Sequence, residues 1–290
     1  MTANTAQLYK QALQFYADNG VDVAVNDTPR DYYTAPAMPS PKAAMPSAPA
    51  PQMPQGAQPS IVEQAAVMAP VLGASDARNE AIKVASAANT LEELREAIQS
   101  FDGIPLKKTA SNMVFSSGNP AAAIMLIGDA PISDDDRAGE AFLGENGALL
   151  DKILACIDIK RGAEDVKNSI YLSNILNWRP PGNRSPAQGE IEASLPFIER
   201  HIQLAQPKLL IFCGGVAAKA LLGRSEGISR LRGKWHEYMP QVEEYRAGAS
   251  VIPAVATYSP ANLLKTPTQK RGMWADILSV QQKREALGLL

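Results

Sequence analysis

An acidic loop follows a short apolar run and carries the side chains best suited to chemistry. The apolar run covers residues 123–127, and Asp129, Asp135 and Phe142 follow it. A loop of this kind, placed at the end of a buried strand, is a typical location for reactive groups in α/β enzymes. A phenyl ring beside carboxylates suits a site that stacks a planar ring and polarises a water molecule. An ordinary strand-to-helix connection is the plainer interpretation.

The elements that must position this loop follow from hydrophobic periodicity. Apolar runs predict four strands, at 123–127, 169–175, 208–213 and 251–257. Helical spacing predicts helices near 76–100, 149–157, 191–202 and 267–286, the last with Trp274, Ile277 and Leu278 facing inward. The loop after Gly128 is expected to stay irregular until about Gly147. This alternation predicts a three-layer α/β/α fold around a central, mainly parallel four-stranded sheet.

Polar and small residues stand where the predicted strands end. Gly128, Asn174, Gly214 and Ser259 stand at or just after the ends of the four apolar runs, and the carboxyl ends of parallel strands meet at one edge of a sheet. The amide of Asn174 donates and accepts hydrogen bonds at once, which suits reading the edge of a nucleobase. A satisfied turn residue is the alternative for Asn174.

Basic residues are concentrated in the loops beyond the same edge. Arg179, Arg184, Arg232 and Lys265 lie in loops that also contain aromatic residues and glycines. Such loops suit contact with the phosphate backbone of a nucleic acid, although each loop alone is more often a solvated one. The net charge of the chain is -2, so any basic surface must be local.

Composition limits cofactors and location. The chain has two cysteines, Cys156 and Cys213, and two histidines, which is too few for a typical structural zinc or iron–sulfur site. We therefore predict two buried cysteines and no metal or other cofactor. No apolar run reaches the ~20 residues that a membrane helix needs, and the first residues lack the layout of a signal peptide. We expect a protein of the bacterial cytoplasm with no membrane partner.

The composition also divides the chain into three parts. Residues 1–32 carry a helical pattern, strongest at 5–19, and residues 33–75 are a Pro/Ala-rich flexible linker. Residues 76–290 form the folded domain. The part of the linker at 33–60 is a candidate site for a protein partner, and we expect the protein to be a monomer.

A series of motifs in this domain resembles the iron–sulfur type (family four) of the uracil-DNA glycosylase superfamily. Order and spacing agree from about residue 101 to 282, and the similar segments are 114–120, 128–131, 141–144, 172–174, 178–184, 231–233 and 259–264. The resemblance implies a DNA glycosylase of base excision repair, which hydrolyses the N-glycosidic bond of a uracil flipped out of DNA. The implied partner is DNA that contains uracil or a related deaminated base.

The resemblance also implies roles for individual residues. Phe142 would stack on uracil, Asn174 would bind its edge, and Gly128 would contact the base. Asp129 would position the water, with Asp135 as a further catalytic acid and Ser259 at the catalytic histidine's position. The implied DNA-binding residues are Arg179, Arg184, Arg232, Lys265 and a leucine wedge supplied by Leu263 or Leu264.

Three departures from the family pattern bear on activity. The four cysteine positions of the family's cluster are Phe101, Ile104, Trp178 and Ser194 here, so we expect no cluster. The histidine of the last motif is Ser259, which cannot carry positive charge. The family's first motif has Glu and Gly where this chain has Asp129 and Ile132, and a positive φ at Ile132 would be strained.

Three functions therefore stay open from the sequence. The first is a uracil-DNA glycosylase with weakened or shifted activity. The second is a catalytically degenerate module that binds DNA or uracil. The third is a generic α/β nucleotide-binding protein, which the absence of the usual glycine-rich phosphate motifs disfavours.

Overall fold

The computed structural model of the chain describes residues 74–290. The predicted N-terminal segment 1–32 and all but the end of the predicted linker 33–75 lie outside the described residues. Within the described part, helices cover both faces of a six-stranded sheet, which confirms the predicted α/β class. No helix in this part of the chain is long and apolar enough to cross a membrane.

The sheet contains the four predicted strands and two more at its edges. The strands are β1 (Ser117–Gly118), β2 (Ile124–Gly128), β3 (Tyr171–Asn174), β4 (Leu209–Cys213), β5 (Trp235–Tyr238) and β6 (Ile252–Thr257), in the order β1-β3-β2-β4-β6-β5. Strands β3, β2, β4 and β6 are parallel, as predicted, and β1 and β5 pair antiparallel at the two edges. The sequence did not predict the two edge strands, because they are short or half-exposed and lack a continuous apolar run.

Nine helices and five 3₁₀ turns complete the described part. The helices are α1 (Ala74–Ala87), α2 (Leu91–Ser100), α3 (Ser133–Ala138), α4 (Gly144–Ala155), α5 (Gln188–Ala205), α6 (Gly215–Leu222), α7 (Ile228–Leu231), α8 (Pro260–Lys265) and α9 (Lys270–Ala286). The 3₁₀ turns are Pro105–Lys108, Val166–Asn168, Pro181–Asn183, Glu243–Tyr245 and Pro267–Gln269.

Two helix predictions need correction. The stretch at 76–100 is two helices, because the Thr90 hydroxyl accepts a hydrogen bond from the Glu93 amide at 3.1 Å and starts α2 anew. The acidic loop is more regular than predicted, since it contains α3, and α4 already begins at Gly144.

Each face of the sheet has its own apolar core. Ile124 and Leu126 of β2 pack with residues of α4, α8 and α9, whereas Met125 and Ile127 pack with residues of α1, α2, α5 and α6. This alternation follows from the two-residue period of a strand. Because both faces are covered, β2 is apolar along its whole length, as the sequence predicted.

The pairing register brings four strand ends into one row. Gly128 pairs with Asn174 on one side and with Cys213 on the other, and Cys213 pairs with Thr257. The chain leaves β2 for β3 on one side and later crosses to β4 on the other. The carboxyl end of β2 is therefore a topological switch point, where α/β sheets form crevices for ligands.

Helix α9 presents a different face to the core from the predicted one. Met273, Ile277 and Val280 are buried against the sheet, at the spacing of one helical stripe. Trp274 and Leu278 are 44% and 41% exposed, so the prediction that they face inward was wrong. Both follow a buried residue directly, and one step along a helix turns the side chain by about 100°.

Cys156 is a further correction. It ends α4 at the surface and is exposed, whereas Cys213 at the end of β4 is buried as predicted. The apolar run around Cys156 is the buried stripe of α4, and Cys156 lies beside that stripe instead of within it.

The orientation of α9 is testable by paired substitutions. We expect Ile277→Ala to lower the free energy of unfolding by about 2–5 kcal/mol, because it opens a cavity in the core. Leu278→Ala should cost no more than about 1 kcal/mol, because much of this side chain already faces solvent. Urea denaturation measures both. Equal losses would contradict the orientation.

Candidate active site

A cavity of about 120 Å³ opens at the row of strand ends. Its lining brings together six of the predicted site residues with six others, and the full set is Gly128, Asp129, Ala130, Ile132, Asp135, Phe142, Asn146, Asn174, Cys213, Ser259, Pro260 and Ala261. An apolar cavity of about 150 Å³ holds a single benzene ring. The cavity is therefore of the right order for one planar ring.

The floor of the cavity depends on the absence of a side chain at Gly128. A Cβ atom there would lie 2.4 Å from Oδ1 of Asn174 and 2.6 Å from Cζ of Phe142. Both distances are far below van der Waals contact. Only glycine at this position lets the amide and the phenyl ring approach the end of β2 together.

Asn174 brings an unpaired donor to this cavity. The residue is buried, and its Nδ2 has no hydrogen-bond partner among the described residues. Leaving a buried donor unpaired costs ~1–3 kcal/mol, and native proteins rarely tolerate it without a reason. The turn-residue alternative for Asn174 would require a satisfied amide. The arrangement instead suits a ligand that presents a hydrogen-bond acceptor.

Phe142 is held in an unusual backbone conformation. Its φ of 59° lies in the left-handed region, which costs an L-residue roughly 1–2 kcal/mol. Asp135 compensates on one side, because its carboxylate accepts hydrogen bonds from the amides of Leu143 at 2.7 Å and Ile132 at 3.0 Å. Both oxygens of this buried carboxylate are thereby engaged. Asp135 therefore positions the turn at Phe142, and because it also lines the cavity, its catalytic role stays a prediction.

Arg161 holds the same turn from the other side. Its guanidinium donates to the carbonyl oxygens of Ala141 at 2.7 Å and Phe142 at 2.8 Å, and its Nη2 lies 3.1 Å from Asp151. Sequence reasoning missed Arg161, because it lies after α4, far from the loop along the chain. No local sequence motif indicates such a contact.

Asp129 is anchored at the N-terminus of α6. Its Oδ1 accepts a hydrogen bond from the amide of Ala217 at 2.7 Å. Gly214 makes this possible, because its φ is +127° and a Cβ atom there would come within 2.4 Å of the carboxylate. Burial raises the pKa of Asp129 to about 6, against the lowering effect of the α6 amides. Asp129 is thus an ionisable group, fixed in place, at the wall of the cavity.

Ser259 also lines the cavity and caps the N-terminus of α8. Its hydroxyl oxygen accepts a hydrogen bond from the amide of Asn262 at 3.3 Å. A serine hydroxyl has one donor and two acceptor positions, so its hydrogen stays available to a ligand. The helix cap therefore fixes the oxygen without using up the donor.

The remaining lining residues include two that sequence reasoning missed and one that it judged strained. Asn146 lies in the first turn of α4, and Cys213 ends β4; neither belongs to a loop motif that pointed to them. Ile132 has φ −103° and ψ −177°, which is ordinary extended backbone. It adds bulk to the cavity without strain.

The predicted DNA-binding arginines are largely engaged within the protein. Arg232 pairs with the buried carboxylate of Asp276 at 2.6 Å and lies over the ring of Tyr258. Arg184 pairs with Glu190 at 2.5 Å. Arg232 thereby holds the end of β6 against α9, and its contact with a phosphate stays a prediction.

Arg179 and Lys265 are less engaged within the protein than Arg184 and Arg232, so they fit the predicted contact with DNA better. Arg179 donates to Asn183 at 2.7 Å and lies 3.8 Å from Asp136. Lys265 ends α8 and is exposed, and none of the ion pairs in the described part involves it.

Of the two leucines left open as a wedge, the structure excludes Leu263. Its side chain is fully buried in the core under α8, whereas Leu264 is 42% exposed. The prediction for Leu263 was wrong because α8 turns that position toward α4. Leu264 is the leucine that a ligand could reach.

The four positions that the family resemblance assigns to a cluster are filled by packing. Phe101, Ile104, Trp178 and Ser194 are all buried, and Phe101 packs edge-to-face on Phe197 with ring centroids 5.1 Å apart. None offers a thiolate, and residues 74–290 contain no group of three or more His, Cys, Asp or Glu placed to hold a metal ion. These residues do not fit an iron–sulfur cluster.

The chain is similar in sequence to known members of one superfamily. Residues 115–278 match the family model described as the Uracil DNA glycosylase superfamily. The chain is 33% identical to a type-4 uracil-DNA glycosylase of Archaeoglobus fulgidus over 195 residues, which cover 66% of this chain and 92% of that protein. It is 30% identical to a protein of the same name from Pyrobaculum aerophilum over 191 residues, 64% of this chain and 91% of that protein.

The clamp on Phe142 is testable through Arg161. We expect Arg161→Gln to lower the free energy of unfolding by about 1.5–3 kcal/mol, because a neutral amide cannot replace charge-assisted bonds to two carbonyls. The amide of Leu143 should then exchange its hydrogen faster. Asp151→Asn is the matched control and should cost less than about 1 kcal/mol, since it removes only an exposed ion pair. Unchanged exchange at Leu143 in Arg161→Gln would refute the clamp.

Proposed function

Because this chain belongs to the uracil DNA glycosylase superfamily, we propose that it removes uracil from DNA by hydrolysing the N-glycosidic bond of a flipped-out nucleotide. The observation that carries the proposal is the unpaired, buried amide of Asn174 beside the ring of Phe142, in a cavity of single-ring size. Uracil is planar and has alternating acceptors and a donor along one edge, so it complements both groups. The generic nucleotide-binding alternative explains neither group.

The base is recognised by stacking and by the amide. Phe142 stacks on the uracil ring, and Asn174 donates from Nδ2 to a uracil carbonyl while its Oδ1 accepts from the ring N–H. Gly128 lets the base lie close to the end of β2. Such contacts are accessible only to a base that has left the helical stack.

Asp129 assists the addition of water to the sugar. The bond from C1′ to N1 of uracil breaks, and its electron pair leaves with the base while the sugar becomes oxocarbenium-like. The Asp129 carboxylate stabilises this cation, orients the water that adds to C1′, and takes up the proton that the water loses. With a pKa of about 6, Asp129 is mostly ionised at neutral pH.

Ser259 stabilises the departing uracil anion less than a histidine would. Ser259 donates one hydrogen bond to the anion but carries no charge. None of the described residues that line the cavity is a cation. Loss of a preorganised donor to a developing anion costs roughly 10²–10³ in rate, so we propose a slow enzyme.

DNA is held outside the cavity by residues of α8 and of the loop after β3. Lys265 of α8 and the partly exposed Arg179 of that loop contact phosphates, and Leu264 fills the space that the flipped base leaves. The protein acts as a monomer, without metal or cofactor, in the cytoplasm. Residues 1–32 and 33–75 extend this domain, and the stretch 33–60 serves a protein partner; these assignments rest on the sequence alone.

A second candidate is a module that binds uracil-containing DNA without cutting it. The uncharged Ser259 favours this reading, because the recognition groups are all in place while the leaving group lacks a cation. The same assay separates the two candidates, since only the enzyme produces abasic sites.

The glycosylase assay tests both the activity and the role of Asp129. Single-stranded and duplex oligonucleotides with one uracil are incubated with the protein and then treated with alkali, which cuts abasic sites. We expect cleavage whose rate rises with pH up to about 6 and then levels, because the pKa of Asp129 is about 6 and its carboxylate is the active form. Asp129→Asn should slow the reaction by about 10²-fold or more and abolish this pH dependence.

Asp134→Asn is the matched control, because Asp134 lies in the same acidic loop but does not line the cavity. It should leave rate and pH profile unchanged. Retention of the oligonucleotide with no abasic sites, at protein excess over hours, would identify the binding module instead.

A second variant tests the leaving-group position. We expect Ser259→His to raise the single-turnover rate, by up to about 10²–10³-fold, because imidazolium can pair with the uracil anion. Loss of the α8 cap should cost about 1 kcal/mol of stability. Ser259→Ala loses the cap and the donor together and should be slower than the wild type. Equal rates for the two variants would place Ser259 outside the leaving-group pocket.

A further inference from the structure

A second recess lies beside the catalytic cavity and is mostly apolar. It has a volume of about 210 Å³ and is lined by Leu149, Ile153, Leu263, Lys270, Met273 and Trp274. We call it the α9 groove. None of these residues has a part in the proposed catalysis.

The α9 groove continues the catalytic cavity along two helices. On α4, Asn146 lines the cavity, and Leu149 and Ile153 follow one and two turns later. On α8, Pro260 lines the cavity and Leu263 lies one turn further. The two recesses therefore lie one to two helical turns apart, roughly 5–10 Å, which is within reach of the next nucleotide of a bound strand.

The wall and rim of the α9 groove have the features of a single-strand nucleic acid site. Trp274 offers an exposed indole at its wall, where exposed Lys270 also lies. Exposed Lys265 and Arg271 are close to lining residues along the chain, two positions after Leu263 and one after Lys270. None of the ion pairs among residues 74–290 involves these three cations. An aromatic platform with unpaired cations is how proteins hold unpaired bases and their phosphates.

We propose that the α9 groove binds an unpaired base of the substrate strand next to the flipped uracil. The base stacks on Trp274, and the flanking phosphates lie on Lys265, Lys270 and Arg271. A basic peptide is the alternative ligand, but it would need acidic groups at the rim. The rim residues named here are cationic and favour a nucleic acid, which is a polyanion. The inference rests on the proposed function for its substrate strand.

The proposal carries a consequence for strand preference. In a duplex the neighbouring base is paired and stacked, and its transfer to Trp274 costs the energy of unstacking. In a single strand the unstacking energy is much smaller. The α9 groove therefore favours uracil in single-stranded DNA over uracil in duplex DNA.

Substitution of Trp274 tests the groove. We expect Trp274→Ala to weaken binding of a single-stranded uracil oligonucleotide about 5- to 150-fold, the range for loss of one base–aromatic stack. Fluorescence anisotropy measures the Kd. The KM for excision should rise while kcat at saturating DNA stays unchanged, because Trp274 lies outside the catalytic cavity. The preference for single strands over duplex should shrink by a similar factor.

Two further variants separate stacking from general packing. Trp274→Phe keeps an aromatic face and should retain most of the affinity. Leu278→Ala removes a similarly exposed apolar side chain one turn along α9, outside the groove, and should bind like the wild type.

An oligonucleotide without uracil tests the groove independently of the reaction. The chain has three tryptophans, of which Trp178 is buried and Trp274 is exposed. Quenching of fluorescence by this oligonucleotide in the wild type, with much less in Trp274→Phe, would support the groove even where uracil excision fails. Normal excision with unchanged Kd and strand preference in Trp274→Ala would overturn the inference and leave the proposed function intact.

Discussion

The close approach of three groups at the end of β2 is the constraint on which the site depends. Asn174 and Phe142 both lie where a side chain at position 128 would be, so the cavity exists only because that residue is glycine. The parallel register then sets the distance between the walls, since Asn174, Cys213 and Thr257 stand in the same row as Gly128. The cavity is thus a property of sheet pairing first and of loop chemistry second.

Around this row, charged residues serve mainly to hold the backbone. Asp135 and Arg161 fix the left-handed turn at Phe142 from opposite sides, one through amides and the other through carbonyls. Arg232 and Asp276 similarly fix the end of β6 beside Ser259. A ring that stacks on a base must keep its orientation, and a rigid backbone fixes that orientation. Preorganisation of this kind lowers the entropy cost of binding.

The sequence predicted the parts of this molecule that local patterns control. The central strands follow from apolar runs, and Phe142, Asn174, Asp129 and Ser259 follow from their places after those runs. It could not predict contacts between distant segments. Arg161 reaches a loop some twenty positions earlier in the chain, and the pairing of Arg232 with Asp276 spans β6. Nor could periodicity alone orient α9, because Trp274 and Ile277 are both apolar and only packing decides between them.

Asp129 and Ser259, the two catalytic positions that differ from the family motif, each have a structural role of their own. Asp129 is held by the first turn of α6, and Ser259 caps α8, so each has a structural partner independent of any ligand. Each side chain stays in position although its chemistry differs from that of the related family motif. Phe142 and Asn174, the groups that we propose bind the base, depend on neither. Under the proposed function, base recognition and stabilisation of the leaving group are therefore separate in this fold, and a change at Ser259 acts on the second while leaving the first in place.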